Sequence, residues 1–210
     1  MTLSGCIVHA GFGPVRLCAS RVVEIDDWMN SVFSARGALR AATAPYHDRV
    51  DAAFSRADLT ARDGYGRFLQ AQAGAYLPVE AALTRAGAAT LVADWAARLR
   101  ASRLVADLDA LGLAVPDEDA GITFADDAAV LGGVYVLEGS RLGGAMLARG
   151  VPADFPKRFL APDQSGNWRR LLDILEQEVI SPGERSSAIE SASRVFMLFE
   201  SSAQRYLRAD

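Results

Sequence analysis

The chain has 210 residues, 50% of them hydrophobic and 23% charged, which describes one globular domain with room for a ligand beside its core. Its formal net charge of −4 supplies no basic field for nucleic acid, and two cysteines, Cys6 and Cys18, exclude a disulfide framework or a zinc cage. Histidine is scarcer still: His9 and His47 exclude a site that needs several imidazoles around one ion, but not a site that needs one.

Residues 1–34 read as a leader, disordered or the product of an overlong start, with 35–210 as the domain proper; a short ordered arm is the other reading of the leader. Its first 28 residues hold both cysteines and His9, show no sustained helical period and precede Met29. They lack early positive charge, and Gly11, Gly13 and Pro14 cut their apolar stretch, so they read poorly as a signal peptide. The expected setting is a reducing cytoplasm.

From Ala35 the pattern is helical. His47, Val50, Asp51 and Phe54 fall at i, i+3, i+4 and i+7 and share one face. Pro45 either opens this helix with Thr43 as cap or bends a longer helix beginning near Ala35. A second helix opens at Leu59-Thr60 and runs to about Arg85, bent at Pro78. A third covers Leu91 to Leu111, burying Trp95, Leu99, Leu104, Leu108 and Leu111, and Gly112 ends it. A fourth runs from about Phe124 to Arg149, interrupted by glycines; its apolar run, Ala128 to Leu137, is far short of the roughly 20 residues that span a membrane. Residues 151–167 read as loop. Trp168 to Val179 is helical, Ser181-Pro182-Gly183 breaks it, and a last helix to about Leu207 carries Ile189, Ala192, Phe196, Phe199, Ala203 and Tyr206 at helical period. Nothing alternates with period two for long enough to build a sheet. The fold class is all-α, a single domain of about six or seven helices around one core.

Two features of this pattern carry chemistry. The first is His47 with Asp51 at i+4: Nε2 suits one metal bond while Nδ1–H donates to the carboxylate. A capping or core histidine hydrogen-bonded to Asp51 is the plainer alternative. The second is Tyr135-Val-Leu-Glu-Gly-Ser-Arg-Leu-Gly-Gly144, where Gly139, Gly143 and Gly144 interrupt a strongly helical segment. Each costs roughly 1 kcal/mol against alanine in a helix interior. Either another backbone packs closely there or a flat ligand lies against the helix. Together, one imidazole helix and one glycine-rich helix fit a heme held between them, with iron on His47. Its propionates need cations at the pocket mouth; Arg40, Arg141 and Arg194 are the candidates, each also readable as a solvated surface charge.

The segment LRAATAPYHDRVD resembles the proximal-helix signature of the heme oxygenase family, and YVLEGSRLGGAML resembles the distal-helix signature of its bacterial members. The Trp95–Gly112 stretch and the segment WRRLL from Trp168 also look like that branch, most like members associated with bacteriophytochromes. The resemblance covers about residues 35 to 207. It implies heme b as both cofactor and substrate, iron bound by His47, Asp51 as acceptor behind it, Arg40 as propionate partner and Tyr135 in the pocket. Gly139, Ser140, Gly143 and Gly144 match the distal kink. Mammalian members have an aspartate where this chain has Ser140, which turns the expected proton route toward water held by kink backbone and Ser140. The implied reaction opens heme with O2 and electrons, giving biliverdin, CO and ferrous iron. No G-x-G-x-x-G fingerprint is present, so an external donor such as a ferredoxin or flavodoxin system is expected, with a bacteriophytochrome as a receiver of biliverdin. Two other readings stay open: a carrier or sensor of the same fold that leaves heme intact, and a helical interaction protein without heme, whose Gly139, Gly143 and Gly144 are packed by another helix.

Overall fold

The computed structural model describes residues 34–117, 120–161 and 167–208. The expectations placed on Cys6, His9, Cys18 and the leader lie outside the described residues, apart from Ser34. Helix α1 spans Ala35–Phe54, α2 Arg62–Arg85, α3 Ala88–Leu91, α4 Trp95–Arg98, α5 Ala101–Ala110, α6 Asp127–Leu147, α7 Asn167–Glu178 and α8 Pro182–Tyr206. No strand occurs among the described residues.

The longer of the two possible first helices forms. Pro45 lies inside α1, and Thr43 is no cap: its hydroxyl donates to the Leu39 carbonyl at 2.7 Å. The cap is Ser34, whose Oγ accepts from Gly37 N–H at 2.9 Å. Glu176 of α7 takes the next two free donors, accepting from Ala35 N–H at 3.1 Å and Arg36 N–H at 2.9 Å. A carboxylate at a helix N-terminus satisfies donors and dipole together, and here it also ties α1 to α7. Helix α2 begins later than Leu59-Thr60, because Asp58 Oδ1 accepts from both the N–H and the hydroxyl of Thr60, at 2.9 and 2.6 Å, and holds that residue in a turn.

The single helix expected over Leu91–Leu111 is three pieces. Glu80 of α2, 4% exposed, accepts from Arg100 N–H at 2.6 Å and Ala101 N–H at 3.1 Å, so a carboxylate from another helix starts α5 afresh. Trp95 is fastened by its Nε1–H to Thr84 Oγ1 at 3.0 Å. The break turns Leu99 outward, 37% exposed, against its expected burial, while Trp95, Leu104, Leu108 and Leu111 are buried. Gly112 closes α5 with φ +72. Beyond α6, the 151–161 loop is pinned to α5 by Asp107, which is fully buried and accepts from Phe159 N–H at 2.8 Å.

Helix α8 is the axis on which α1, α2 and α6 pack. Its first turn is a capping box: Ser181 Oγ accepts from Glu184 N–H at 3.2 Å, and Glu184 Oε2 accepts from Ser181 N–H at 2.8 Å. Ser181-Pro182-Gly183 thus both ends one helix and starts the next. Two buried hydroxyls fasten α8 to its neighbours, Ser191 donating to Ala129 O of α6 and Ser202 to Ala71 O of α2, each at 2.7 Å. Small side chains there let the backbones approach, and the apolar faces of α2, α6 and α8 make the core.

Candidate functional site

Helices α1 and α6 both pack on α8 and α7, while no substantial packing joins them to each other. They stand as two walls over a shared base. On α1, His47 is exposed, with 60% of its side chain accessible, which removes the core-histidine reading. Its Nδ1 is 3.2 Å from Asp51 Oδ2, and its ring meets the edge of Phe196 on α8 at 6.0 Å between centroids and 67°. The carboxylate and the aromatic ring orient the imidazole. With Nδ1 within ion-pair distance of the carboxylate, Nε2 is the better placed nitrogen for a ligand.

On α6, the glycines divide into two kinds. Gly132 and Gly133 are demanded by the protein: a Cβ on Gly132 would strike the Ala188 carbonyl of α8, and one on Gly133 would stand 2.6 Å from Phe124 and 2.9 Å from Leu83. Gly139, Gly143 and Gly144 are not. A Cβ on Gly139 would make ordinary contact with Trp168 at 3.8 Å, one on Gly144 would reach Leu160 at 3.4 Å, and one on Gly143 would meet nothing within 4 Å. None has positive φ, and α6 runs through all three as unbroken α-helix, against the expected interruption. Trp168 of α7 borders Gly139 and Leu160 borders Gly144, but among the described residues no backbone comes as close here as Ala188 does at Gly132. The same stretch exposes Leu142 at 54% and Met146 at 70%, which share a face with Gly139 and Gly143. An apolar stripe with its side chains trimmed away faces open space.

The remaining candidates fall into three places. Tyr135, half-buried on α6, stacks obliquely on Trp168 at 5.3 Å between centroids; burial pushes its phenol up, and Arg36 and Arg40 of α1 pull it back. The Tyr135 phenol thus feels the charge of both exposed guanidiniums of α1. Ser140 is exposed, but its hydroxyl donates to Leu137 O at 2.7 Å, so its oxygen is left to accept rather than to give a proton. Arg141 points into the protein, 2.9 Å from Glu138 Oε1 and donating to Arg98 O at 2.8 Å. Burial pushes the Glu138 carboxyl up, and Arg141, Arg98 and Arg100 pull it back. Arg194 is exposed on α8, two residues before Phe196 and so turned to another side from the ring that meets His47.

Sequence reasoning missed Trp168, Phe196 and Arg36 as site residues. Phe196 was visible as part of the buried stripe of the last helix. Nothing in the sequence spacing connects Trp168 to Gly139.

No family model matches the chain. It is 31% identical over 164 residues to the heme oxygenase PigA of Pseudomonas aeruginosa, an alignment covering 73% of this chain and 83% of that protein. A heme oxygenase of Xanthomonas campestris pv. campestris is 36% identical over 120 residues, 52% of this chain and 71% of that one. The fold matches the NO- and CO-bound heme oxygenase from Neisseria meningitidis with a TM-score of 0.73 at 23% identity, over 84% of this chain and 94% of that one. With identity of that level sustained over most of a relative's length, and with the same helical architecture, the chain belongs to the heme oxygenase family.

Proposed function

We infer that this protein is a heme oxygenase, which holds heme between α1 and α6 and opens it to biliverdin, CO and ferrous iron. The observation that carries this is the glycine segment of α6. Three helix-interior glycines at roughly 1 kcal/mol each have no backbone torsion and no close backbone crossing to explain them, Gly143 has open space where a Cβ would stand, and they border an exposed apolar stripe. A flat apolar ligand lying on that stripe accounts for both. The residues present suit heme: one oriented imidazole on the opposite wall, space a Cβ would fill, and cations at the rim.

Bound heme supplies the iron that takes up O2 and the ring that is opened. His47 holds the iron through Nε2, and Asp51 keeps the proton on Nδ1. Arg40, with Arg36 beside it, takes a propionate at the α1 rim; Arg141 is already committed to Glu138, and Arg194 is turned to another side of α8 from Phe196. Gly139 and Gly143 let the α6 backbone approach the substrate, so that the reacting edge is set by shape. Tyr135 of α6 and Trp168 of α7, stacked on each other, bound the cleft on the α7 side. Ser140 Oγ accepts from a water, because its own proton is given to Leu137 O, and that water brings protons from solvent. Electrons come from an external donor such as a ferredoxin or flavodoxin system, and a bacteriophytochrome is a receiver for the biliverdin. No helix among the described residues is long and apolar enough to cross a membrane, and we place the protein in the cytoplasm.

Heme titration followed by anaerobic reduction, admission of O2 and chromatography of the product tests the reading. Loss of the Soret band with biliverdin and iron release is expected. A stable ferrous-O2 spectrum without product means a carrier or sensor, and no Soret shift on titration removes heme from the account.

A further inference from the structure

Helix α6 is anchored unevenly along its length. Upstream of residue 138 it is locked into the core, by the Gly132–Ala188 crossing and the Ser191–Ala129 hydrogen bond. Downstream it is held more lightly: Leu142, Met146 and Leu147 are exposed, nothing lies within 4 Å of a Cβ on Gly143, and only side chains, Trp168 at Gly139 and Leu160 at Gly144, border the other two glycines. Three glycines make that stretch the weakest part of the helix. Between the two halves stands a cluster of charges removed from solvent. Arg98 of α4, with its side chain 0% exposed, donates from Nε to Asp94 Oδ1 at 2.8 Å and from Nη2 to Asp94 Oδ2 at 3.2 Å. Its Nη1 reaches Glu138 Oε2 at 2.9 Å. Arg141 Nη2 then bridges Glu138 Oε1 at 2.9 Å and the Arg98 carbonyl at 2.8 Å. Glu138 and Arg141 bracket Gly139-Ser140, and both are fastened to the same residue of α4. Helix α4 in turn is fixed to α2 by Trp95 and Thr84.

A buried ion pair is a poor source of net stability, since the desolvation of both charges offsets most of their attraction and apolar residues of equal volume serve as well. What it does supply is direction: the bidentate Asp94–Arg98 fork and the two-sided grip on Glu138 allow one relative placement of α4 and α6. We propose that the Asp94–Arg98–Glu138–Arg141 cluster fixes the height and rotation of the Gly139–Gly144 backbone over the substrate, with Glu138 and Arg98 as positioning residues for the reaction. This rests on the heme oxygenase reading for its purpose, but the mechanical part concerns the protein alone.

The test therefore begins without heme. Amide hydrogen exchange is measured on the apoprotein and on Glu138→Gln, Glu138→Ala and Arg98→Met. Exchange of residues 139–147 is expected to accelerate by about tenfold or more, as a local opening, while residues 191–203 of α8 stay protected. Unchanged exchange at 139–147, or equal acceleration in α8, overturns the proposal. Glu138→Gln keeps the shape and loses only the charge, so it carries the test if the other variants do not fold. The second arm adds heme. Affinity through His47 stays within about threefold, the CO-complex spectrum shifts, the isomers of the opened product become mixed, and turnover falls by about tenfold to a hundredfold. A single unchanged isomer and an unchanged CO spectrum overturn the positioning role. A wild-type protein that binds no heme while the exchange result stands defeats the functional reading and leaves the anchor intact.

Discussion

Gly132 on α6 lies against Ala188 on α8 so closely that an added Cβ would land on the Ala188 carbonyl. About three turns further along the same helix, Gly143 has no atom within 4 Å of the equivalent position. The two glycines therefore answer one substitution with opposite signs. Gly132→Ala forces two backbones apart and lowers the stability of the heme-free protein by about 1–3 kcal/mol. Gly143→Ala meets nothing, relieves a helix-interior glycine and raises stability by up to about 1 kcal/mol. The same methyl occupies the space assigned to the substrate ring, so heme affinity falls. Thermal unfolding without heme and Soret titration measure the two effects, and a loss of stability in both variants would falsify the distinction.

His47 separates stability from function in a different way. Its side chain is 60% exposed, so His47→Ala changes unfolding by no more than about 0.5 kcal/mol. The heme complex loses its imidazole spectrum, and added imidazole restores it. Asp51→Ala leaves Nε2 in place but releases Nδ1, and it weakens heme binding by about tenfold, the range seen when an outer partner of a ligating histidine is removed. An unchanged spectrum in His47→Ala sinks the assignment of the axial ligand.

Local spacing carried much of this. His47 and Asp51 share a face because they are four apart, and the surplus of glycine between 139 and 144 is visible without coordinates. Long-range contacts decided what spacing could not. The break before Ala101 exists because Glu80, twenty-one residues earlier, caps it, and α1 starts where it does because Glu176, 141 residues later, receives its first N–H. Gly132 and Gly133 look like Gly139 and Gly143 in the sequence; only the three-dimensional neighbours tell a glycine that a Cβ would force apart from one with room beside it. Trp168 reaches Gly139 and Tyr135 through the placement of α7, which no periodicity encodes.

Arg36 and Arg40 of α1 both pull down the Tyr135 phenol of α6, and a propionate held between these two helices would feel both cations. Both are exposed, so solvent screens them and neither holds heme alone. Arg40→Ala is expected to weaken heme binding by no more than about tenfold, and Arg36→Ala by less. Their larger effect is on which edge of the ring faces α6, since an in-plane rotation needs only a change of propionate partner. Chromatography of the opened product reads this directly. One unchanged isomer in the double variant removes both arginines from the site.

The start of α8 gives the last prediction, and its sign is fixed by hydrogen bonds. Hydrogen bonds from the Ser181 backbone and hydroxyl, with a further one from Ile180 N–H, hold the Glu184 carboxyl below its ordinary value of 4.5. A carboxyl that ionises more readily in the folded protein binds fewer protons there than in the unfolded chain. Its contribution is therefore complete above pH 4.5 and is lost as pH falls through the lower folded value. Glu184→Gln should flatten the acid side of the stability profile and leave the profile above neutrality parallel to wild type. Ser181→Ala removes the hydroxyl that accepts from Glu184 N–H and costs about 1 kcal/mol at neutral pH. Both residues lie far along α8 from Phe196, so neither variant moves the heme spectrum through His47. Thermal unfolding from pH 3 to 8 (about the range over which carboxyls titrate) checks the profile, and an acid limb unchanged in Glu184→Gln counts against the capping box as its source.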